Sequence, residues 1–248
     1  VVEMDSLSAY GVTGMVDTRV RLQGGRVDTR VQPSKGPGSR YHIITPAAVA
    51  AVRGTQFRVS ADSDRPVSRS EVIEGKVGVS GAGTRQLVPA GFGTLATAGK
   101  PPEPPRELLP APDLSPLPAL LDRLPLQFSW KDVDTAAGYR YQVAADERFD
   151  RLLVDSTSQQ ASGTADLPDG DYVLRVRAID PDRLEGRDAL RPFSVDARPV
   201  PPVLIGLGNG ALIRDPQPGF NWSVTAADTA WHFQLARTED FSELVADQ

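Results

Sequence analysis

The side chains that could do chemistry in this sequence are few, and their spacing says what they can be used for. Two of the three tryptophans sit in one short phrase that occurs twice, 128-FSW-130 and 220-FNW-222. Such aromatics could stack on a ligand. However, Phe128 and Trp130 are two apart on an extended segment and point to one face, as core positions do. Tyr139, Tyr141 and Val143 alternate in the same way and read as the facing strand of that core. The two histidines, His42 and His232, each alternate with apolar neighbours and form no paired metal-ligand motif. Carboxylate pairs such as Asp62/Asp64 and Asp132/Asp134 occur in turn-like contexts, and 169-DGD-171 lacks the run of spaced oxygen ligands a calcium loop needs. With no cysteine, a thiol nucleophile, a Cys-based zinc site and a disulfide scaffold are excluded. Neither a GxSxG elbow nor a phosphate-cradling glycine loop is present. The expectation is a non-catalytic protein without cofactor or metal.

The elements that position these residues are short strands. Glycine and proline number 22 each among 248 residues, which implies many turns. In 16-VDTRVRLQGGRVDTRV-31 the apolar residues fall at every second position around Gly24-Gly25, predicting a hairpin of half-buried strands. A related unit follows at 72-VIEGKVGVS-80, where Gly75 and Val77 echo Gly25 and Val27. Strands are expected at 40–45, 55–61, 68–73 and 85–88, while 46-PAAVAAV-52 could form a short helix. This spacing predicts an all-β sandwich or a short solenoid-like stack of rungs. The proline-dense stretch from Gly99 reads as an extended connector over 99–103, then as an edge strand of the next domain. The net charge of −5 and pI of about 5.1 argue against a nucleic-acid partner. No stretch nears the ~18 consecutive apolar residues of a membrane span, and the first residues lack the layout of a signal peptide.

The strongest internal signal is a repeat. Residues 126–155 align without gaps to 218–247, with Phe128, Trp130, Gln142, Ala144, Glu147, Phe149, Leu152 and Asp155 identical to residues 92 positions later. Tyr139 is matched by Trp231, and Tyr141 by Phe233. This implies tandem modules of about 90–100 residues. The first copy continues through 170-GDYVLRVRAID-180 to Ala197, whereas the second reaches only the equivalent of Asp155, so it is expected to be incomplete and unstable alone.

Thr45, Pro46, then 52-VRGTQFRV-59, 71-EVIEGKVGV-79 and 87-LVPAGFG-93 resemble the FecR domain family. The phrases 128-FSW-130, 136-AAGYRYQVA-144 and 167-LPDGDYVLRVRA-178 resemble fibronectin type III-like sandwiches of bacterial envelope proteins. The resemblance implies a periplasmic, all-β protein. It would comprise a FecR-like domain (1–98), a linker (99–103), a fibronectin type III-like sandwich (104–197) and the first half of another (198–248). Phe57, Phe128, Trp130, Tyr139, Tyr172, Phe220, Trp222 and Trp231 are the expected core, with Tyr172 placed to act as a tyrosine corner. Arg53 and Thr55 are the candidate partner-binding residues. The leading expectation is an envelope binding or scaffold protein that engages proteins or peptidoglycan. The alternative is the periplasmic part of a FecR-type transmembrane regulator, which relays an outer-membrane receptor's signal to a sigma factor. A polysaccharide-active enzyme with accessory modules is a third.

Overall fold

A computed structural model describes residues 2–10, 15–31, 40–52 and 55–197, and 203–248 apart from 207, 209, 211, 216–217 and 224–231. The described residues are all-β, with strands and turns and no helix.

Ten strands precede the proline-rich stretch: β1 (Val2–Tyr10), β2 (Met15–Leu22), β3 (Gly25–Arg30), β4 (Arg40–Ile44), β5 (Val49–Val52), β6 (Gln56–Ala61), β7 (Val67–Glu74), β8 (Lys76–Gly81), β9 (Thr84–Pro89) and β10 (Phe92–Thr97). They form two sheets, in the orders β1-β2-β4-β5-β8-β9 and β10-β7-β6-β3. Between them lies a core of Leu22, Ile43, Phe57, Val59, Val72, Val77, Val79 and Val88. Each such side chain, moved from water to a packed interior, stabilises by roughly 1.5–3 kcal/mol.

The expected hairpin over 16–31 does not form. β2 pairs with β1 and β4 in one sheet, while β3 pairs with β6 in the other. Alternation specifies that one face of each segment is buried, and β2 and β3 satisfy it face to face across the core, not edge to edge. Gly25 (φ 96°) and Gly75 (φ 80°) stand just past two of the crossings between sheets, in backbone open to glycine at low cost. The echo between the two units thus marks a repeated crossing. Nor is 46–52 helical. The Thr45 hydroxyl accepts from the Ala48 N–H at 2.9 Å and donates to the Ala48 carbonyl, closing a turn that releases β5 into the sheet.

The proline-rich stretch is not a free tether. The Glu103 N–H donates to the Leu95 carbonyl at 2.8 Å, and β11 (Arg106–Glu107) adds to the edge of β10. The edge strand expected for the next module therefore belongs first to the preceding one. Leu114, Leu117 and Leu121 then enter a second core.

That core lies between the sheet β12-β18-β17-β14-β15 and the pair β13-β16. The strands are β12 (Leu120–Leu121), β13 (Leu126–Ser129), β14 (Gly138–Ala144), β15 (Leu152–Ser158), β16 (Ser162–Ala165), β17 (Gly170–Ile179) and β18 (Ala189–Val195). Phe128 meets Phe193 edge-on at 5.4 Å, and Trp130 meets Tyr139 at 5.5 Å, both favourable ring geometries. The Tyr172 hydroxyl donates to the Pro168 carbonyl four residues upstream at 2.9 Å, pinning the turn before β17.

Four short strands follow: β19 (Leu204–Ile205), β20 (Asn221–Trp222), β21 (Gln234–Ala236) and β22 (Leu244–Asp247). β21 pairs with β22 as Gln234↔Asp247, Leu235↔Ala246 and Ala236↔Leu244, with a bulge. In the first sandwich the pairs are Gln142↔Asp155, Val143↔Val154 and Ala144↔Leu152, with the same bulge. Phe149 (φ 56°) and Phe241 (φ 55°) share an unusual left-handed backbone. Yet none of the described side chains from 203 to 248 is buried.

Candidate functional site

The feature that stands out is a seam of buried charge between the N-terminal sheets and the first sandwich. Its floor is the outer face of β6 and β7. Along β6, Phe57, Val59 and Ala61 point to the core, which turns Arg58 and Ser60 outward. Across the ladder Arg58 faces Glu71, and Ser60 faces Arg69. A polar sheet face of this kind ordinarily meets water. Here Arg58 is 1% exposed and Glu71 0%, because β17 and the loop after it cover them.

That loop, residues 180–188, is shaped by its own sequence. Asp180 Oδ1 accepts the N–H groups of Asp182 and Leu184 at 2.9 and 2.8 Å, and Ile179 bridges to Glu185. The tightened turn drives buried Leu184 against the first module. A Cβ on Gly93 would lie 3.1 Å from Leu184 Cδ2 and 2.9 Å from Leu108 Cδ2. Gly93, the last glycine of 87-LVPAGFG-93, makes room for the neighbouring module.

Polar contacts fill the seam. Arg58 donates through Nη2 to the carbonyls of Glu185 and Gly186 (3.1 and 2.7 Å) and through Nη1 to Asp188 (3.2 Å). Arg177, from β17, reaches Asp28 on β3 at 2.7 Å and Glu185 at 2.9 Å, and also pairs with Asp188. Arg26 pairs with Glu185. The Glu185 N–H donates to Glu71 Oε1 at 3.2 Å, and Arg69 donates to the Asp182 carbonyl at 2.6 Å. Above β17, Arg175 donates twice to Gln142 Oε1, at 2.9 and 2.6 Å, and lies 4.0 Å over the Phe149 ring.

Burial and charge pull these groups in different directions. Burial alone would lower the Arg177 guanidinium, but Asp28, Asp188 and Glu185 outweigh it and hold it above its ordinary value. Burial would raise Asp28, and Arg177 reverses that, leaving its carboxyl lowered. Arg58 is lowered, first by burial and then by neighbouring Arg177. Glu71 is pushed up by burial, and its Oε2 meets no hydrogen-bond donor among the described residues, which suits a retained proton. Buried pairs gain little over apolar packing, but removing one partner strands the other charge at about 3–5 kcal/mol. The arrangement therefore holds two modules in one register. To one side it opens into a cleft of about 510 Å³ lined by Asp28, Arg30, Arg148 and Asp188, among others.

The residues singled out from sequence lie elsewhere. Phe57, Phe128, Trp130, Tyr139 and Tyr172 are buried, and Phe220 and Trp222 half-buried. Arg53 and Trp231 lie outside the described residues. Thr55 offers nothing to a surface partner: it is 4% exposed, and its carbonyl accepts from the Val31 N–H. Asp169 and Asp171 spend their carboxylates on the Ala197 N–H and the Ser194 hydroxyl. The seam residues were missed, although 175-RVR-177 and the Arg58/Glu71 alternation were visible as a charged face. What covered that face was not.

A family model described as FecR protein matches residues 1–78. Comparison with curated proteins found no match. Two crystal structures of a proposed anti-sigma factor from Parabacteroides distasonis are similar. One is 17% identical over 37% of this chain and 42% of that chain, with a TM-score of 0.32. The other is 14% identical over 43% and 60%, with a TM-score of 0.33. The extracellular domain of a proposed hybrid two-component system from B. thetaiotaomicron is 11% identical over 77% of this chain and 31% of that chain, with a TM-score of 0.23. This chain thus spans less than two thirds of each, and likeness at this level carries no chemistry across. No helix among the described residues is long and apolar enough to cross a membrane. The FecR match is the informative one, and the segment it covers supplies Arg26, Asp28, Arg58, Arg69 and Glu71 to the seam.

Proposed function

We propose that this chain is the periplasmic, non-catalytic part of a FecR-type regulator, in which the FecR-like module and a fibronectin type III-like sandwich act as one rigid receiver for an envelope protein. The observation that carries the reading is the FecR match over residues 1–78. The seam adds a physical reason: a signal received on either module passes to the other as displacement of a rigid body instead of being lost at a hinge. Binding, not turnover, is the activity. The test is affinity capture with the purified chain against periplasmic domains of outer-membrane receptors from the same genome, with peptidoglycan sedimentation alongside. Receptor capture at micromolar affinity or better, without sedimentation, is expected.

A second reading is an envelope scaffold. It is favoured by the register of β14–β15 recurring at β21–β22, as a row of spacer modules would show. Co-sedimentation with peptidoglycan and no receptor capture would replace the regulator by the scaffold.

A further inference from the structure

The cleft beside the seam carries more positive charge than its own carboxylates answer. Arg69 is met by Asp62, and Arg140 by Asp155. That leaves four guanidiniums in the seam, those of Arg26, Arg58, Arg175 and Arg177. They meet three ionised carboxylates, Asp28, Glu185 and Asp188, because Glu71 favours its proton. The surplus falls on Arg175. Asp28 lies 3.7 Å from it and is already taken by Arg177 at 2.7 Å. Arg175 spends Nε and Nη2 on the neutral Gln142 Oε1, and its Nη1 donates to nothing among the described residues. Burial, and after it the neighbouring Arg177, lowers this guanidinium to about 10. Arg58, which lines the same cleft, keeps a buried Nε without an acceptor among the described residues.

The mouth of the cleft adds a second arginine. Asp146 Oδ1 accepts the Arg148 N–H at 2.8 Å, and Phe149 follows with φ 56°. This turn sets Arg148 at the rim and lays the Phe149 ring against the Arg175 guanidinium. Glu147 and Asp150 offset Arg148 and Arg30 there, all four exposed to water, so the buried surplus is not relieved from the rim. Ile73 and Leu190 supply an apolar wall.

We propose that this cleft binds a small organic monocarboxylate, its two oxygens taken by Arg175 and Arg148 and its short apolar chain lying along Ile73 and Leu190. The planar arginine fork matches the two oxygens of a carboxylate. A single negative charge cancels the surplus, whereas a phosphate dianion brings a second one against Asp28 and Asp188, which line the same walls. A volume of about 510 Å³ suits a ligand of this size. The site stands whether the chain meets a receptor or the cell wall.

The probe is hexanoate, titrated into the full chain by calorimetry while the arginine side-chain Nε–Hε signals are followed by NMR. Saturable binding with a Kd of about 1 mM or below is expected, with shifts at Arg175 and Arg148. The neutral isostere hexanamide should give neither. Arg148→Gln, at an exposed position, should weaken hexanoate about tenfold, as losing a charged hydrogen bond does. Arg175→Lys keeps the charge without the fork and should cost a similar factor. Arg123→Gln, which lies outside the cleft, should leave the affinity unchanged. Absence of saturation, equal binding of hexanamide, tighter binding of inorganic phosphate, or wild-type affinity in both Arg148→Gln and Arg175→Lys would overturn the proposal.

Discussion

Arg58 and Glu71 face each other across β6 and β7, yet their removal should have opposite consequences. Arg58→Ala strips three acceptors of their donor and leaves Asp188 with less compensation, so a loss of about 3–5 kcal/mol is expected in urea unfolding. Glu71 is held with its carboxyl raised, so it favours the folded state while protonated, and that benefit is lost as pH rises through the raised value. Glu71→Gln keeps the acceptor for the Glu185 N–H without the charge. It is expected to match or exceed the wild type near neutral pH and to lose that advantage below the ordinary glutamate value of 4.5. Urea midpoints across that range check the sign. Asp28 works the other way. Its lowered carboxyl contributes stability above the ordinary aspartate value of 3.8, lost as pH falls through the lowered one. Acidification should therefore weaken the Arg177 contact while leaving Glu71 at ease.

Strand identity was largely legible in the sequence, and strand partners were not. The strands expected over 40–45, 55–61, 68–73 and 85–88 fall on β4, β6, β7 and β9. Alternation reports which face is buried, and Phe57, Phe128, Trp130 and Tyr139 are buried. It says nothing about whether successive strands pair or cross between sheets, which is why 16–31 read as a hairpin. For the same reason the alternation of Arg175 and Arg177 with apolar neighbours on β17 gives a polar face without showing that another module seals it. The crossing glycines and the seam glycine separate two kinds of constraint. At Gly25 a Cβ would meet nothing within 4 Å, so Gly25→Ala should cost only backbone strain, about 1–2 kcal/mol. At Gly93 the same change forces Leu184 and Leu108 aside, with about 1–3 kcal/mol expected from overpacking. Pairing Gly93→Ala with Leu184→Ala should recover part of that loss in a double-mutant cycle, while Gly25→Ala with Leu184→Ala should be additive.

At the scale of the whole molecule, the seam makes one cooperative body of residues that sequence divides into two modules. Two modules joined only by a connector open independently, each with its own free energy. A shared set of buried charges forbids that, because opening either side strands charges on the other. The described residues from 203 onward, with Leu212 at 90% and Val203 at 64% exposure, contribute nothing to this seam and should exchange their amides first. Native-state hydrogen exchange along a denaturant series tests the central claim most directly. The amides of β7 and β17 are expected to merge into one opening free energy in the wild type and to separate in Arg58→Ala/Arg177→Ala. Distinct opening free energies for β7 and β17 in the wild type would contradict it.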